Sequence, residues 1–405
     1  MKPGRVQGWL RPALDSVLLA GGRGVSMLAG FGMGMAFAHL STQEVYGQYK
    51  YAMALLGMVG LTALPGMTVA VMRASARGYD GVLRAGMRAR ARASPIGIGI
   101  LLVLAMVFGA WGQPAMGRAL AIAALCFPML TTLELYLPFL GGRQDYLRYA
   151  LFQSAVMALP VPVVVLVLLA HGRLEAAALA WLATTILLHA AFLRATARGV
   201  AFHAAADPEA VQYGRRLSPV YLVSTGQTYL SGLVVGTALG PASLAVFSIG
   251  MVWWEVLRQA TSLVNLQMVP RMAAARDDDA RRLLRRSLIA GFPTAVAVGG
   301  AMVLAMPMLV PALFTAHYRD SVLVAQVLVA AVALGFPGSQ ANSFLAARGH
   351  VRAQHWLAAT AFAVEVVGLA LLTMRFGVIG VAAAKCAARI WHSLFGVALV
   401  PLVRR

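Results

Sequence analysis

Seven ionisable side chains sit inside stretches apolar enough to cross a membrane, and with these this sequence could do chemistry. Arg23 lies about two turns into the first such stretch, and Glu134 lies in the fourth. Glu255 and Arg258 are one turn apart in the eighth, Glu365 is near the middle of the eleventh, and Lys385 and Arg389 share a face of the twelfth. A charge at the centre of a bilayer costs on the order of 3 kcal/mol, so such groups avoid lipid. Two uses are open to them. Glu255 with Arg258, and Glu365 with Lys385 or Arg389, could form structural ion pairs. Alternatively the cations could line a wet cavity and meet an anionic ligand, while the three carboxylates could carry a coupled proton or cation. Arg23 has no acidic neighbour within its own apolar stretch and is read as cavity-lining. Lys385 and Arg389 stay between the two uses.

The elements that hold these groups follow from composition. Hydrophobic residues make up 60% of the 405 positions and charged residues 12%, with a mean hydropathy of +0.76. Soluble domains carry roughly twice that charged fraction, so the chain is an integral membrane protein. Its net charge of +20 is no sign of nucleic acid, because the basic residues fall between apolar stretches and act as an orientation signal. Cys126 and Cys386 both lie in apolar stretches, so no disulfide framework or metal site is expected; the histidines lack ligand spacing. No cofactor is expected, and no constellation of nucleophile and base marks an enzyme. Gly30-Phe-Gly32-Met-Gly34 follows no strand and is read as small-residue helix packing through Gly30 and Gly34.

Twelve stretches have the roughly 20 apolar residues that a spanning helix needs: 16–38, 49–71, 95–113, 117–140, 150–171, 175–195, 217–238, 243–266, 287–313, 321–345, 353–374 and 378–402. The first is read as a true span and not a cleaved signal, since it carries Arg23 and lacks a small-residue cleavage site. Twenty-five of the 34 basic residues fall on the side of the termini, five on the other side and four within spans. That bias predicts both termini in the cytoplasm. Pro65-Gly66, Pro128, Pro138, Pro160 with Pro162, Pro307, Pro311 and Pro337-Gly338 predict helix breaks.

The chain repeats itself at an offset of about 198 residues. Arg73 with Arg271, Asp80 with Asp278, Arg84 with Arg282, Arg88 with Arg286 and Pro95 with Pro293 coincide, flanked by matching apolar spans. The expected fold is therefore all-α: twelve transmembrane helices in two six-helix lobes related by a pseudo-twofold axis along the membrane normal. The lobes are read as 1–198 and 217–405, joined by a cytoplasmic linker at 199–216. The basic runs after the second and eighth spans are read as short amphipathic helices on the inner leaflet, the second capped by Asp277-Asp278-Asp279.

The stretch Leu40-Ser-Thr-Gln-Glu-Val-Tyr-Gly47-Gln-Tyr49 with Leu64-Pro65-Gly66-Met67 resembles the polysaccharide transporter family of the MATE/MOP flippase superfamily. Gly141-Gly142-Arg143-Gln-Asp-Tyr146, Leu239-Gly240-Pro241 to Ser248, and Val269-Pro270-Arg271 carry the same resemblance. It implies a bacterial inner-membrane flippase that moves a polyprenyl-diphosphate-linked oligosaccharide by alternating access, with basic cavity residues on the diphosphate. Lipid II flippases of the superfamily have two further helices and an arginine in the first helix. Arg23 stands at a comparable place, and Lys50 corresponds in position to a basic residue of the second helix. With Arg258, Lys385 and Arg389 these are the candidate substrate contacts; Glu134, Glu255 and Glu365 are the ion-coupling candidates. The resemblance also implies membrane lipids, a glycan polymerase and glycosyltransferases as partners of a monomer. The competing reading is a cation-coupled multidrug exporter of the same superfamily. A membrane polymerase or ligase is disfavoured, since no outer loop is long enough to carry its site.

Overall fold

The computed structural model describes residues 4–202 and 204–402, and every regular element among them is helical. They pack as two compact units, 1–229 and 230–405.

The first unit opens with α1 (Gly4–Leu40) and α2 (Gln43–Gly60). The corner between them explains the Leu40–Tyr49 motif. Thr42 caps α2 by accepting from the Val45 amide at 3.2 Å. Tyr46 and Tyr49, a turn apart on α2, stack on Phe37 of α1 at ring distances of 5.2 and 4.5 Å. Beyond a 3-10 turn, the second span breaks at Leu64-Pro65-Gly66 and resumes as α3 (Met67–Ala76), bent by 57°. Leu64 takes a left-handed φ of 57°, which costs a branched residue about 1 kcal/mol. Gly66 is required here: a Cβ would press on the backbone at Gly214 and Ser218, and its amide donates to the Ser218 hydroxyl at 3.1 Å.

Next come α4 (Val82–Ala110), α5 (Pro114–Leu133), α6 (Tyr136–Gly142), α7 (Tyr146–Ala158), α8 (Pro160–His171) and α9 (Leu174–Ala197). The segment read as a linker packs on this unit. The Ala201 amide donates to Asp80 at 3.2 Å, Arg77 pairs with Asp207 at 3.7 Å, and Arg73 stands 4.8 Å over the Tyr213 ring. α10 (Ala210–Ala238) runs through the division between the units.

The second unit continues with α11 (Pro241–Ala274), α12 (Asp277–Phe314), α13 (Ser321–Leu334), α14 (Phe336–Ala347) and α15 (Val351–Leu402). α13 and α14 meet at 43° beside Pro337-Gly338. α15 is two helices joined at Gly377, where φ 57° with ψ −135° interrupts the ladder at a residue without a Cβ.

Two expectations change. The basic runs do not form separate interfacial helices. Residues 82–92 are the first turns of α4, and 281–286 those of α12, so Pro95 and Pro293 lie inside continuous helices. Arginine is a good helix former and apolarity does not mark where a helix starts, so the helices outrun their spans. In α12 the N-cap is Arg276, and Asp277–Asp279 occupy the first turn as partners of the helix dipole. Six helices among the described residues are long and apolar enough to cross a membrane, or eight when each bent pair counts as one span. α15 alone covers two of the twelve stretches expected from sequence, and α1, α10 and α11 cover the first, seventh and eighth.

Candidate functional site

The centre of the first unit is built around a residue that charge counting assigned to a loop. Arg90 is 3% exposed. One guanidinium nitrogen donates to both the Thr131 carbonyl and the Glu134 carboxylate at 2.6 Å, and the other donates to the Thr68 hydroxyl at 2.7 Å. It thereby ties α4 to α3 and to the end of α5 where the fourth span breaks. The clue in the sequence is phase. Leu83, Gly86, Arg90, Ser94, Gly97 and Leu101 are the buried stripe of α4, spaced by threes and fours. Arg90 is on that stripe, whereas Arg88 and Arg92 are exposed.

Two cavities open beside this cluster, and both touch Thr68 and Glu134. One, of about 770 Å³, is lined by Lys50 and Arg90 together with the rings of Tyr49, Phe127, Trp181 and Tyr229. The other, of about 570 Å³, is lined by Arg23, Tyr146, Tyr149 and Gln153. Arg23 takes no hydrogen bond or ion pair among the described residues, and Lys50 has only the face of the Tyr46 ring, at 5.5 Å. Glu134 keeps 46% of its side chain open. Gly30 also lines the larger cavity, and a Cβ there would meet nothing within 4 Å. Its lack of a side chain widens the space and does not serve helix contact as the sequence suggested.

In the second unit the candidate charges are taken by one another. Arg258 donates to Glu255 at 2.7 Å, and Gln259 donates to the same carboxylate at 2.8 Å. Lys385 meets Glu365 at 2.9 Å, and the Ser231 hydroxyl bridges them, donating to Glu365 at 2.8 Å and accepting from Lys385 at 3.2 Å. Arg389 does not join that pair. Its guanidinium lies 5.0 Å over the buried Trp254 ring, which Lys385 approaches at 5.7 Å.

The motif Gly141–Tyr146 is a clasp. Arg143 pairs with Asp80 and donates to the Gly78 carbonyl at 3.3 Å, while Asp145 caps α7 by accepting from the Arg148 amide. The second unit contains the same arrangement. Arg348 pairs with Asp277 and donates to the Ala275 carbonyl at 3.0 Å. In each case the arginine ends the fourth span of its unit and grips the residue that precedes or starts the third. The structural partner of Asp80 is Asp277, one residue away from the Asp278 of the sequence repeat.

A family model described as "Polysaccharide biosynthesis protein" matches residues 37–323. The chain belongs to that family. No curated protein matches it. Among solved structures, this member of the polysaccharide biosynthesis family is similar in fold to the lipid II flippase MurJ in an inward closed conformation. The TM-score is 0.71 at 11% identity, over 95% of this chain and 87% of that one. A eukaryotic MATE transporter, AtDTX14, gives 0.66 at 14% identity over 98% and 97% of the two chains. An outward-facing multidrug resistance MATE transporter of the MOP superfamily gives 0.62 at 15% identity, over 96% of each. These likenesses show the fold: an all-helical, multi-pass membrane protein in two lobes.

Proposed function

We propose that this protein moves a polyprenyl-diphosphate-linked oligosaccharide across the bacterial inner membrane by alternating access, with both termini in the cytoplasm. The observation that carries the reading is the cation content of the first unit's cavities in a chain of a polysaccharide biosynthesis family. Arg23 and Lys50 face open space without a carboxylate of their own. A diphosphate supplies that missing charge, and a guanidinium receives it with paired, charge-assisted hydrogen bonds. The aromatic faces around Lys50 suit the apolar faces of sugar and lipid. The cavity size is that of a head-group site, within the range of small-ligand pockets. In this reading the protein works as a monomer alongside glycosyltransferases and a polymerase.

The exporter reading needs an acidic group free to load a proton or cation. Glu134, Glu255 and Glu365 are each engaged by a base, which weighs against it. A deletion strain tests the choice. It should lose a surface polysaccharide and accumulate the lipid-linked glycan while its glycosyltransferases stay active. An unchanged glycan profile with new sensitivity to cationic drugs would overturn the flippase reading.

A further inference from the structure

The second unit carries a groove that the transport cavity does not explain. It measures about 230 Å³ and lies between the start of α12 and the end of α15. Arg281, Leu284, Arg285 and Leu288 of α12 line it together with Ala341 of α14 and Val397 and Val400 of α15. Spaced four apart, the two arginines share a face, and neither takes a carboxylate among the described residues. Their neighbour Arg282 has one, Asp279 at 3.8 Å.

Position along α12 says what such a groove meets. The helix passes from Asp277-Asp278-Asp279-Ala-Arg281-Arg282-Leu-Leu-Arg285-Arg286 into an unbroken apolar run, and the groove straddles that change. In a membrane-spanning helix this is the level of the lipid phosphates, where basic pockets between helices take acidic head groups. Leu284 is buried in a core cluster on which Leu288 and Val400 pack, while Val397 is 40% exposed at the mouth of the groove.

We infer that this groove is a binding site for an anionic phospholipid, with Arg281 and Arg285 on the phosphodiester and Leu284, Leu288, Val397 and Val400 against the glycerol end of the acyl chains. Two guanidinium groups without counter-charge favour a head group that brings net negative charge over a zwitterionic one, whose amine they repel. The inference is independent of the transported substrate.

The test uses the full-length protein in nanodiscs of phosphatidylcholine with increasing phosphatidylglycerol, reading the melting temperature and, after detergent release, the retained lipid by native mass spectrometry. Phosphatidylglycerol should raise the melting temperature and remain bound. The pair Arg281→Gln with Arg285→Gln should weaken that retention about twenty-five-fold, roughly five-fold per arginine. The pair Arg282→Gln with Arg286→Gln changes net charge equally and should leave it nearly intact. Val400→Trp keeps both arginines but fills the groove, and should also abolish retention, which separates occupancy from folding. Equal losses in both arginine pairs would show a diffuse basic surface and overturn the site. So would equal protection by inorganic phosphate in detergent, or retention unaffected by Val400→Trp.

Discussion

The two units hold their second, third and fourth spans together in the same way at one end and differently at the centre. At the end, Arg143 and Arg348 make the same three-part clasp on Asp80 and Asp277. At the centre, the first unit uses charge: Thr68, Arg90 and Glu134. The corresponding helices of the second unit use amides and hydroxyls. Asn265 donates to Ser339 at 2.8 Å, Gln340 donates to Asn265 at 2.6 Å, and Ser287 donates to Gln340 at 3.0 Å. A neutral network closes on itself. A charged one that leaves Glu134 half-open projects a field into the cavities beside it. What is repeated is the scaffold, and what differs is the charge at its centre.

Substitutions can break this comparison at graded cost. The largest loss should come from Lys385→Met, which removes the counter-charge of Glu365, itself 2% exposed. Removing one partner of a buried ion pair costs about 3–5 kcal/mol, and adding Glu365→Leu should recover most of it. Thermal unfolding of purified protein in detergent reads both; no recovery in the double variant would mean the pair is not the coupled unit described here.

Arg90→Leu should cost less, about 2 kcal/mol, because the open half of Glu134 can take up water. Its neutral counterpart Ser287→Ala should cost about 1 kcal/mol. Transport should fall with Arg90→Leu and survive Ser287→Ala. Similar transport defects in the two would erase the distinction between a charged and a neutral centre.

The clasps should respond alike. Arg143→Ala and Arg348→Ala should each lower stability by about 1 kcal/mol, since both pairs are partly solvated. A large effect from one and none from the other would show that the likeness of geometry is not a likeness of role.

The smallest change in stability should come from Arg23→Ala, within about 0.5 kcal/mol, because it takes no hydrogen bond or ion pair among the described residues. Transport, measured at matched abundance, should nevertheless be lost. Arg23→Lys should retain part of it, since the charge survives without the bidentate fork, and Arg23→Glu should be worst. Normal transport by Arg23→Ala would move the weight to Lys50.

Much of the scaffold was legible because apolar length and charge bias report directly on a membrane. Breaks at Pro65-Gly66 and near Pro337-Gly338 were visible for the same local reason, whereas Pro307 and Pro311 lie within α12. Arg23 and Glu134 stood out as charges in apolar surroundings, whereas Lys50 was reached only through the family resemblance. Arg90 did not stand out, since it stands in a run of six arginines and a tally of charge discards helical phase. The groove at Arg281 was equally hidden: part of its lining comes from α15, over a hundred residues away in the chain. The one-residue difference between Asp278 and Asp277 has a similar origin. Three consecutive aspartates match a repeat equally well, and geometry chooses among them.

α4 has no joint between its arginine run and its membrane-crossing part. The angle at which Arg90 meets Glu134 is therefore keyed to the angle at which Leu101 and Phe108 enter the core. One alanine inserted after Arg92 would turn the first eleven residues of α4 about 100° around the axis relative to the rest. Arg90 would swing off the buried stripe while hydropathy, charge and topology stayed unchanged. In this helix the spacing is itself the information, and a change that leaves composition intact can undo the site.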